Sequence, residues 1–223
     1  MIRPAYRFNA NWKVWLFVLL LLPVLLKLGF WQLERADEKR LLLAQYEQQR
    51  TAPALAPAQL ALLPAGQVAF RKVRLSGNLW QEKSILLDNK ILDGRVGYHL
   101  LQPFADISGT IFLLNRGWLA GTAERRLPEI PRAGSPLDIV ASVYVPLGEA
   151  VVLGQDDWAS GWPLLVQAID IERISARLFA NNAMQLAPTI YPYVLRIESA
   201  SPAALAVDWP PINTRPEKHT GYA

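Results

Sequence analysis

The sequence contains no cysteine and only two histidines. The absence of cysteine excludes structural disulfides, thiol redox chemistry, copper transfer through cysteines, iron–sulfur clusters and covalent c-type haem attachment. Charge is scarce too, at 19% of residues against about 25% in an average soluble domain. Because the lysines and arginines are scattered, the net charge of +4 does not form the basic run of a nucleic-acid-binding protein. We therefore expect no nucleic-acid partner.

Motifs of catalysis are also lacking. The sequence has no glycine-rich phosphate loop and no H-E-x-x-H motif, and Ser160 lacks the flanking glycines of a nucleophile elbow. Asp156 and Asp157 favour a solvated loop over a catalytic carboxylate pair. His99 lies in a strand-like run, which favours a histidine hydrogen-bonded within a sheet over a metal ligand or a general base. We expect a protein that is not an enzyme.

What the sequence has in excess is apolar residues, at 52%, and the longest apolar run is Val14–Phe30. Together with its flanking tryptophans this run has about 20 residues, which as a helix matches a hydrocarbon core of about 30 Å. Lys27 lies off-centre and can snorkel, and Pro23 is tolerated in a membrane helix. The run predicts a transmembrane helix over residues 14–31, with a buried helix of a soluble protein as the disfavoured alternative.

A cleavable signal peptide is the competing interpretation of this run. Its cleavage site would need small residues after the apolar stretch, whereas Phe30–Leu33 are bulky or polar. We favour an uncleaved anchor. Three basic residues precede the run and three follow it closely, so the charge count leaves the orientation open. These residues are Arg3, Arg7 and Lys13 before it, and Arg35, Lys39 and Arg40 after it.

The rest of the chain predicts a mainly antiparallel β domain. Short β-rich runs bounded by Gly, Pro, Asn and Asp follow an Ala/Pro-rich segment that we expect to be irregular or partly extended. DNKILDG, Asp88–Gly94, predicts a hairpin turn. Ile169–Ala180 has the apolar spacing of a helix, and a final strand follows it. The fold class is thus α+β, with an N-terminal membrane helix and a β-rich domain.

The stretch LLNRGWL, which includes Asn115–Trp118, carries polar residues at a strand end. A turn that needs the glycine and a binding role for Arg116 are equally favoured here. In the second case Arg116 would pair with an acidic partner, a haem propionate or a lipid headgroup.

Four stretches together resemble the surfeit locus protein 1 family, which assists cytochrome c oxidase assembly. LGFWQLERADEK is similar to its G-x-W-Q-x-x-R-x-x-x-K pattern, LDNKILDGRVGYHLLQPF to its hairpin with a Gly-Tyr dipeptide, LLNRGWL to its Asn-Arg-Gly-Trp motif, and HTGYA to its His-x-x-Tyr-Ala stretch. They occur in the order of the family and cover most of Leu28–Ala223.

The resemblance implies a bacterial inner-membrane protein with a periplasmic β domain between two membrane helices. The implied division is a cytoplasmic N-terminus over 1–13, the membrane helix over 14–31, a juxtamembrane helix and linker over 32–66, the β domain over 67–200 and a tail over 201–223. That tail leads to the second membrane helix, which the family has and this sequence does not contain. We expect either a fragment or a product without that helix.

The same resemblance implies partners and a site. The expected partners are the lipid bilayer, oxidase subunit I, the haem a synthesis machinery and haem a itself, bound transiently for insertion into subunit I. His219 is the expected axial ligand of the haem iron, with Trp31, Arg35 and Arg116 as further haem contacts. Two alternatives stay open, namely a scaffold that grips oxidase subunits without touching haem and an anchored periplasmic hydrolase.

Overall fold

The structure is a computed structural model that describes residues 11–122, 126–146, 158, 161–180 and 190–209. The chain divides into two compact units. The first contains the N-terminal residues up to Tyr46, and the second runs over Glu47–Pro210.

The first helix, α1, runs without a break over Trp12–Thr51 and has 40 residues. At about 1.5 Å per residue it is roughly 60 Å long. Its most apolar window has a mean hydropathy of 2.3 and is 0% buried, so α1 is long and apolar enough to cross a membrane. Pro23 lies inside the helix without ending it. The helix continues past residue 31 for a further 20 residues, within the segment 32–66 where a juxtamembrane helix followed by a linker was expected.

The second unit is mainly β. Its seven described strands are β1 Lys72–Leu79, β2 Ile85–Leu92, β3 Arg95–Asp106, β4 Ile111–Ala120, β5 Leu137–Tyr144, β6 Leu164–Val166 and β7 Ile190–Ile197. Two helices accompany them, α2 over Pro57–Ala61 and α3 over Ile171–Phe179, together with a 3₁₀ turn over Ala65–Gln67. The Ala/Pro segment, expected to be irregular or partly extended, contains a short helix that begins at Pro57, where proline already has a helical φ. Leu55 of the same segment forms a parallel bridge with Val73 of β1, so the segment is also partly extended.

The strands form one sheet that closes on itself. Its order is β1-β5-β7-β4-β3-β2-β6, and β1 also pairs with β3. Consequently β1, β5, β7, β4 and β3 make a closed ring, and β2 and β6 extend from β3. The β2–β6 and β4–β7 pairs are parallel and the others are antiparallel. The expectation of a long apolar helix followed by a mainly antiparallel β domain is confirmed.

Strand alternation divides the core between the two faces of the sheet. One face fills the ring with side chains from all five of its strands, including Leu75, Phe104, Leu114, Ile139 and Leu195. The other face packs against α3 and includes Leu101, Leu113 and Val194 beside Ile174 and Leu178. Two buried apolar layers thus hold the ring from inside and outside.

The hairpin of β2 and β3 turns at Asp93 and Gly94, which have φ angles of 48° and 73°. Two consecutive positive φ values are what a two-residue type I′ turn needs, and Asp-Gly is a favoured pair for it. The predicted hairpin is confirmed. Asn89 has a φ of 57° and lies at a register shift within β2 rather than in the turn.

The helix α3 matches the predicted helix of residues 169–180 and begins at a side-chain cap. The Asp170 carboxylate accepts a hydrogen bond of 2.9 Å from the Arg173 N–H. This satisfies one of the free donors of the first turn. The apolar stripe of α3 then faces the sheet through Ile174 and Leu178.

Candidate functional site

Polar residues of the two central sequence motifs meet where β2 ends, β3 begins and β4 ends. We call this group the motif corner. Its register is set by the antiparallel pairing of β3 with β4, which places His99 opposite Trp118 and Leu100 opposite Gly117. The motif corner consists of Gly97, His99, Asn115, Arg116, Gly117 and Trp118.

A β-bulge shapes the corner. Leu100 lies opposite Gly117 and Leu101 opposite Asn115, so Arg116 is the extra residue of β4. Gly117 has a φ of 123°, and a Cβ atom there would lie 2.7 Å from the Ala206 carbonyl oxygen. Only glycine fits this conformation and this space. The bulge redirects the side chain of Arg116 into the interior, which is a common use of bulges.

The Arg116 guanidinium is buried and hydrogen-bonded to three acceptors of the protein. Arg116 is 2% exposed. Its Nε donates to the Ala203 carbonyl at 2.8 Å, and its Nη1 donates to Gln102 Oε1 at 2.8 Å and to the Pro131 carbonyl at 2.9 Å. Burial lowers the pKa of Arg116. The side chain therefore ties β4 to β3 and to two loops through a charged donor.

A second polar residue continues this network. The Gln102 amide nitrogen donates to Ser84 Oγ at 2.7 Å, and that hydroxyl donates to the Gln81 carbonyl at 2.7 Å. Gln102 is 0% exposed and Ser84 is 2% exposed. A satisfied buried network of this kind fixes one arrangement of the strands that carry it.

Asn115 and His99 form the outer part of the corner. Asn115 Oδ1 accepts from the Gly117 N–H at 3.1 Å, which orients the amide so that Nδ2 faces His99 Nδ1 at 3.3 Å. The imidazole also packs edge-on against Trp209, with ring centroids 5.4 Å apart. His99 is thus the hydrogen-bonded sheet histidine that the sequence favoured.

Burial, reinforced by the charges of Lys90 and Arg196, lowers the pKa of His99 to about 4. The ring is therefore neutral at neutral pH. Because Nδ1 accepts from Asn115, Nε2 carries the proton. A neutral imidazole with a protonated Nε2 is a hydrogen-bond donor, and it cannot act as a metal ligand through that nitrogen without changing tautomer.

Trp118 joins the two motifs. Its Nε1 donates to the Lys90 carbonyl at 2.9 Å, and its ring lies against Gly97. A Cβ atom at Gly97 would lie 2.6 Å from the indole and 2.1 Å from the Leu119 carbonyl oxygen. The Gly-Tyr dipeptide of the hairpin and the Asn-Arg-Gly-Trp motif are therefore packed together, because Gly97 leaves the space that the Trp118 ring occupies.

A face beside the corner combines positive charge with aromatic rings. The Arg196 guanidinium carbon lies 3.6 Å from the Tyr144 ring centroid and 4.9 Å from that of Trp209. Burial and the charge of Arg196 lower the pKa of Lys90, whereas Asp88 raises it. The stacked guanidinium of Arg196 and the neighbouring ammonium of Lys90 make this face positive, which suits recognition of an acidic partner surface.

Comparison with known proteins identifies the family of this chain. The family model of the SURF1 family matches residues 19–223. The chain belongs to the SURF1 family.

Individual members show the same relationship. A SURF1-like protein of Rickettsia felis is 34% identical over 110 residues, covering 48% of this chain and 47% of the relative. A SURF1-like protein of Rickettsia bellii is 34% identical over 110 residues, covering 48% and 44%, and one of Dictyostelium discoideum is 37% identical over 71 residues, covering 32% and 26%. The alignments thus span about half the length of the bacterial relatives, or less.

Two of the residues expected to contact haem, Trp31 and Arg35, lie on α1 in the SURF1 pattern that follows the apolar run. Trp31 is 53% exposed. The Arg35 side chain is 55% exposed and forms an ion pair of 2.6 Å with Glu38. An exposed pair of this kind contributes at most about 1 kcal/mol. Arg35 can therefore exchange Glu38 for another anion at low cost.

Other candidate residues fall outside the described part of the chain, namely His219, Asp156, Asp157 and Ser160. Their roles stay predictions. Among the described residues, no group of three or more His, Asp or Glu side chains could hold a metal ion.

Gln102, Ser84 and Trp209 of this SURF1 domain were not predicted as site residues from the sequence. A signal for Gln102 was present, because it occupies an inward position of β3 between Leu100 and Phe104. A polar residue in such a series needs a buried partner. Trp209 gave no comparable signal, since its contact with His99 depends on the path of the chain after β7.

Proposed function

We propose that this chain is a membrane-anchored assembly factor for cytochrome c oxidase that assists the insertion of haem a into subunit I or stabilises that subunit. The observation that supports this function is the match to the SURF1 family over residues 19–223, because SURF1 proteins are oxidase assembly factors. In this role the protein binds haem a or subunit I and holds it for assembly, and no catalytic step is needed.

The proposed anchor is α1, whose apolar side chains are exposed along the stretch that precedes Trp31. Exposed leucine, valine and phenylalanine side chains are unfavourable in water and favourable in a hydrocarbon core. We place the N-terminus in the cytoplasm and the β domain in the periplasm of a bacterial inner membrane. Alkaline extraction of intact membranes tests the anchor, since the protein should stay with the membrane pellet. Recovery of a soluble form whose first residue lies beyond Trp31 would contradict it.

Haem a would be held by His219 through its iron and by arginine through its propionates. Arg35 suits the second task, because it is exposed and bonded to one solvent-facing carboxylate. Arg116 would have to release its hydrogen bonds to Ala203, Gln102 and Pro131 before it could reach a ligand. Within the haem hypothesis, the geometry therefore favours Arg35 over Arg116 as the propionate contact.

A scaffold that binds oxidase subunits without haem is the second candidate. It is supported by the state of the motif corner, where Arg116 is committed to protein acceptors and His99 accepts from Asn115. These contacts hold the corner in one arrangement, as a protein-binding scaffold needs. In that case Arg196 and Lys90, beside the corner, would face acidic groups of subunit I.

Haem titration separates the two candidates. The full chain in non-ionic detergent is titrated with haem a, and the Soret band is recorded for the wild type, His219→Ala and the matched control His99→Gln. The haem hypothesis predicts a saturable Soret shift that weakens in His219→Ala and persists in His99→Gln. An unchanged Soret band in the wild type, combined with co-purification of subunit I, would reject haem binding and support the scaffold.

A further inference from the structure

A groove of about 650 Å³ lies on the β domain, away from the motif corner. Its volume falls within the range of about 300–1,000 Å³ that is typical of small-molecule sites. One wall is the segment Ala54–Gln59, the floor is the first half of β1, and the other wall is the turn after β3 at residues 106–108.

Backbone hydrogen bonds build both walls onto β1. Leu55 N donates to the Lys72 carbonyl at 2.9 Å, and Arg74 N donates to the Leu55 carbonyl at 2.9 Å. On the far side Ile107 N donates to the Ser76 carbonyl at 2.9 Å. The groove therefore lies between two segments that are fixed to the same strand, and it is largely formed before a ligand arrives.

The two charged residues of the groove, Asp106 and Arg74, differ in whether their charged groups are free to contact a ligand. Asp106 is 7% exposed. Its Oδ1 accepts from Ser76 N at 2.9 Å and its Oδ2 from Ser108 N at 2.8 Å, so both carboxylate oxygens are engaged with the backbone. Arg74 is exposed, and its guanidinium makes no ion pair with the residues that the structure describes. The charge that the groove offers to a ligand is thus positive.

The remaining lining is mostly apolar. The first wall consists largely of small apolar residues around Leu55, and the second presents Ile107, which is 84% exposed. An isoleucine at the rim of a cleft with that exposure gains free energy when an apolar ligand covers it. A single free guanidinium beside an apolar channel is complementary to an anion that carries a hydrocarbon chain.

We propose that this groove binds a soluble amphipathic carboxylate, with its carboxylate on Arg74 and its acyl chain between Leu55 and Ile107. A soluble ligand is preferred over a bilayer lipid because a groove of about 650 Å³ with one available cation suits a single carboxylate on one acyl chain, whereas a bilayer lipid has two chains and a larger headgroup. The proposal is independent of oxidase assembly and of haem binding.

Photolabelling of the full chain in phosphatidylcholine nanodiscs tests the proposal. The probe is decanoate with a diazirine on its chain, and labelled peptides are mapped by mass spectrometry. We expect saturable labelling of residues 54–59 and 106–108 that unlabelled decanoate displaces and decanol displaces poorly. Arg74→Gln should weaken labelling about tenfold, as expected for loss of a charged hydrogen bond. The matched variant Arg126→Gln, an exposed arginine outside the groove, should leave it unchanged.

A second pair of variants tests the apolar part of the site. Ile107→Ser should reduce labelling several-fold, whereas Ile91→Ser, at an isoleucine that is 70% exposed elsewhere on the domain, should not. Labelling that does not saturate, or that is equal in Arg74→Gln and the wild type, would overturn the proposal. Labelling of the groove by a bilayer photolipid instead of the decanoate probe would overturn the choice of a soluble ligand.

Discussion

Replacement of Arg116 by alanine tests whether its guanidinium stabilises the fold or serves to bind a ligand. The substitution removes three hydrogen bonds, to Ala203, Gln102 and Pro131. Hydrogen bonds from a charged donor contribute about 1.5–3 kcal/mol each, and removal of the buried charge returns part of this sum. We therefore expect a loss of about 3–5 kcal/mol in the free energy of unfolding. For a protein of this size, that loss lowers Tm by roughly 10 °C.

The assay is thermal unfolding of the full chain in non-ionic detergent, followed by near-ultraviolet circular dichroism of the tryptophans. Arg116→Met should lower Tm by less than Arg116→Ala, because methionine keeps most of the buried volume. The matched control is Arg132→Ala. Arg132 pairs with Glu82 at 2.6 Å, with the two side chains 78% and 80% exposed, and its removal should shift Tm by less than about 2 °C.

A Tm of Arg116→Ala within about 2 °C of the wild-type Tm would contradict this prediction. The guanidinium would then not hold the strands together. A wild-type Tm combined with weakened haem binding in the same variant would support the contact between Arg116 and a haem propionate that was expected from the sequence.

Three further predictions concern the β domain. Gly117→Ala should lower the free energy of unfolding by at least about 2 kcal/mol in denaturant titration, and Gly134→Ala, which has open space, by less than about 1 kcal/mol. The pKa of His99 is about 4 in the folded protein, below its unfolded value of 6.5. The contribution of His99 to the free energy of unfolding is therefore complete above pH 6.5 and is lost as the pH falls toward 4. His99→Gln should flatten that part of the stability profile, and an unchanged profile would contradict this. Asp170→Ala should cost about 1 kcal/mol and Asp170→Asn much less, measured by thermal unfolding.

Much of the architecture could be predicted because it depends on local patterns. The apolar run of α1, the alternation of the strands, the Asp-Gly turn and the apolar stripe of α3 each follow from neighbouring residues. Ring closure could not be predicted in this way. It depends on three pairs between β1 and β3, whose residues lie 25 to 29 positions apart. Strand β6 has only three residues, too few for a periodic pattern.

The motif corner was foreseen only in part. The glycine of LLNRGWL suggested an unusual φ, and Gly117 has one. The burial of Arg116 could not be foreseen, because a strand pattern places a side chain on one face until a bulge shifts the register by one residue. Its acceptors on Pro131 and Ala203 come from distant loops, which no local pattern identifies.

The position of β7 has a consequence for biosynthesis. This strand is the last of the described strands in sequence, yet it lies between β5 and β4 in the sheet. Until residues 190–197 have left the ribosome, both of its neighbours have an unpaired edge, and such edges attract other chains. The ring of strands can therefore close only after β7 has been synthesised. A chain that stops before Ile190 would keep these edges unpaired and would be prone to aggregation and proteolysis.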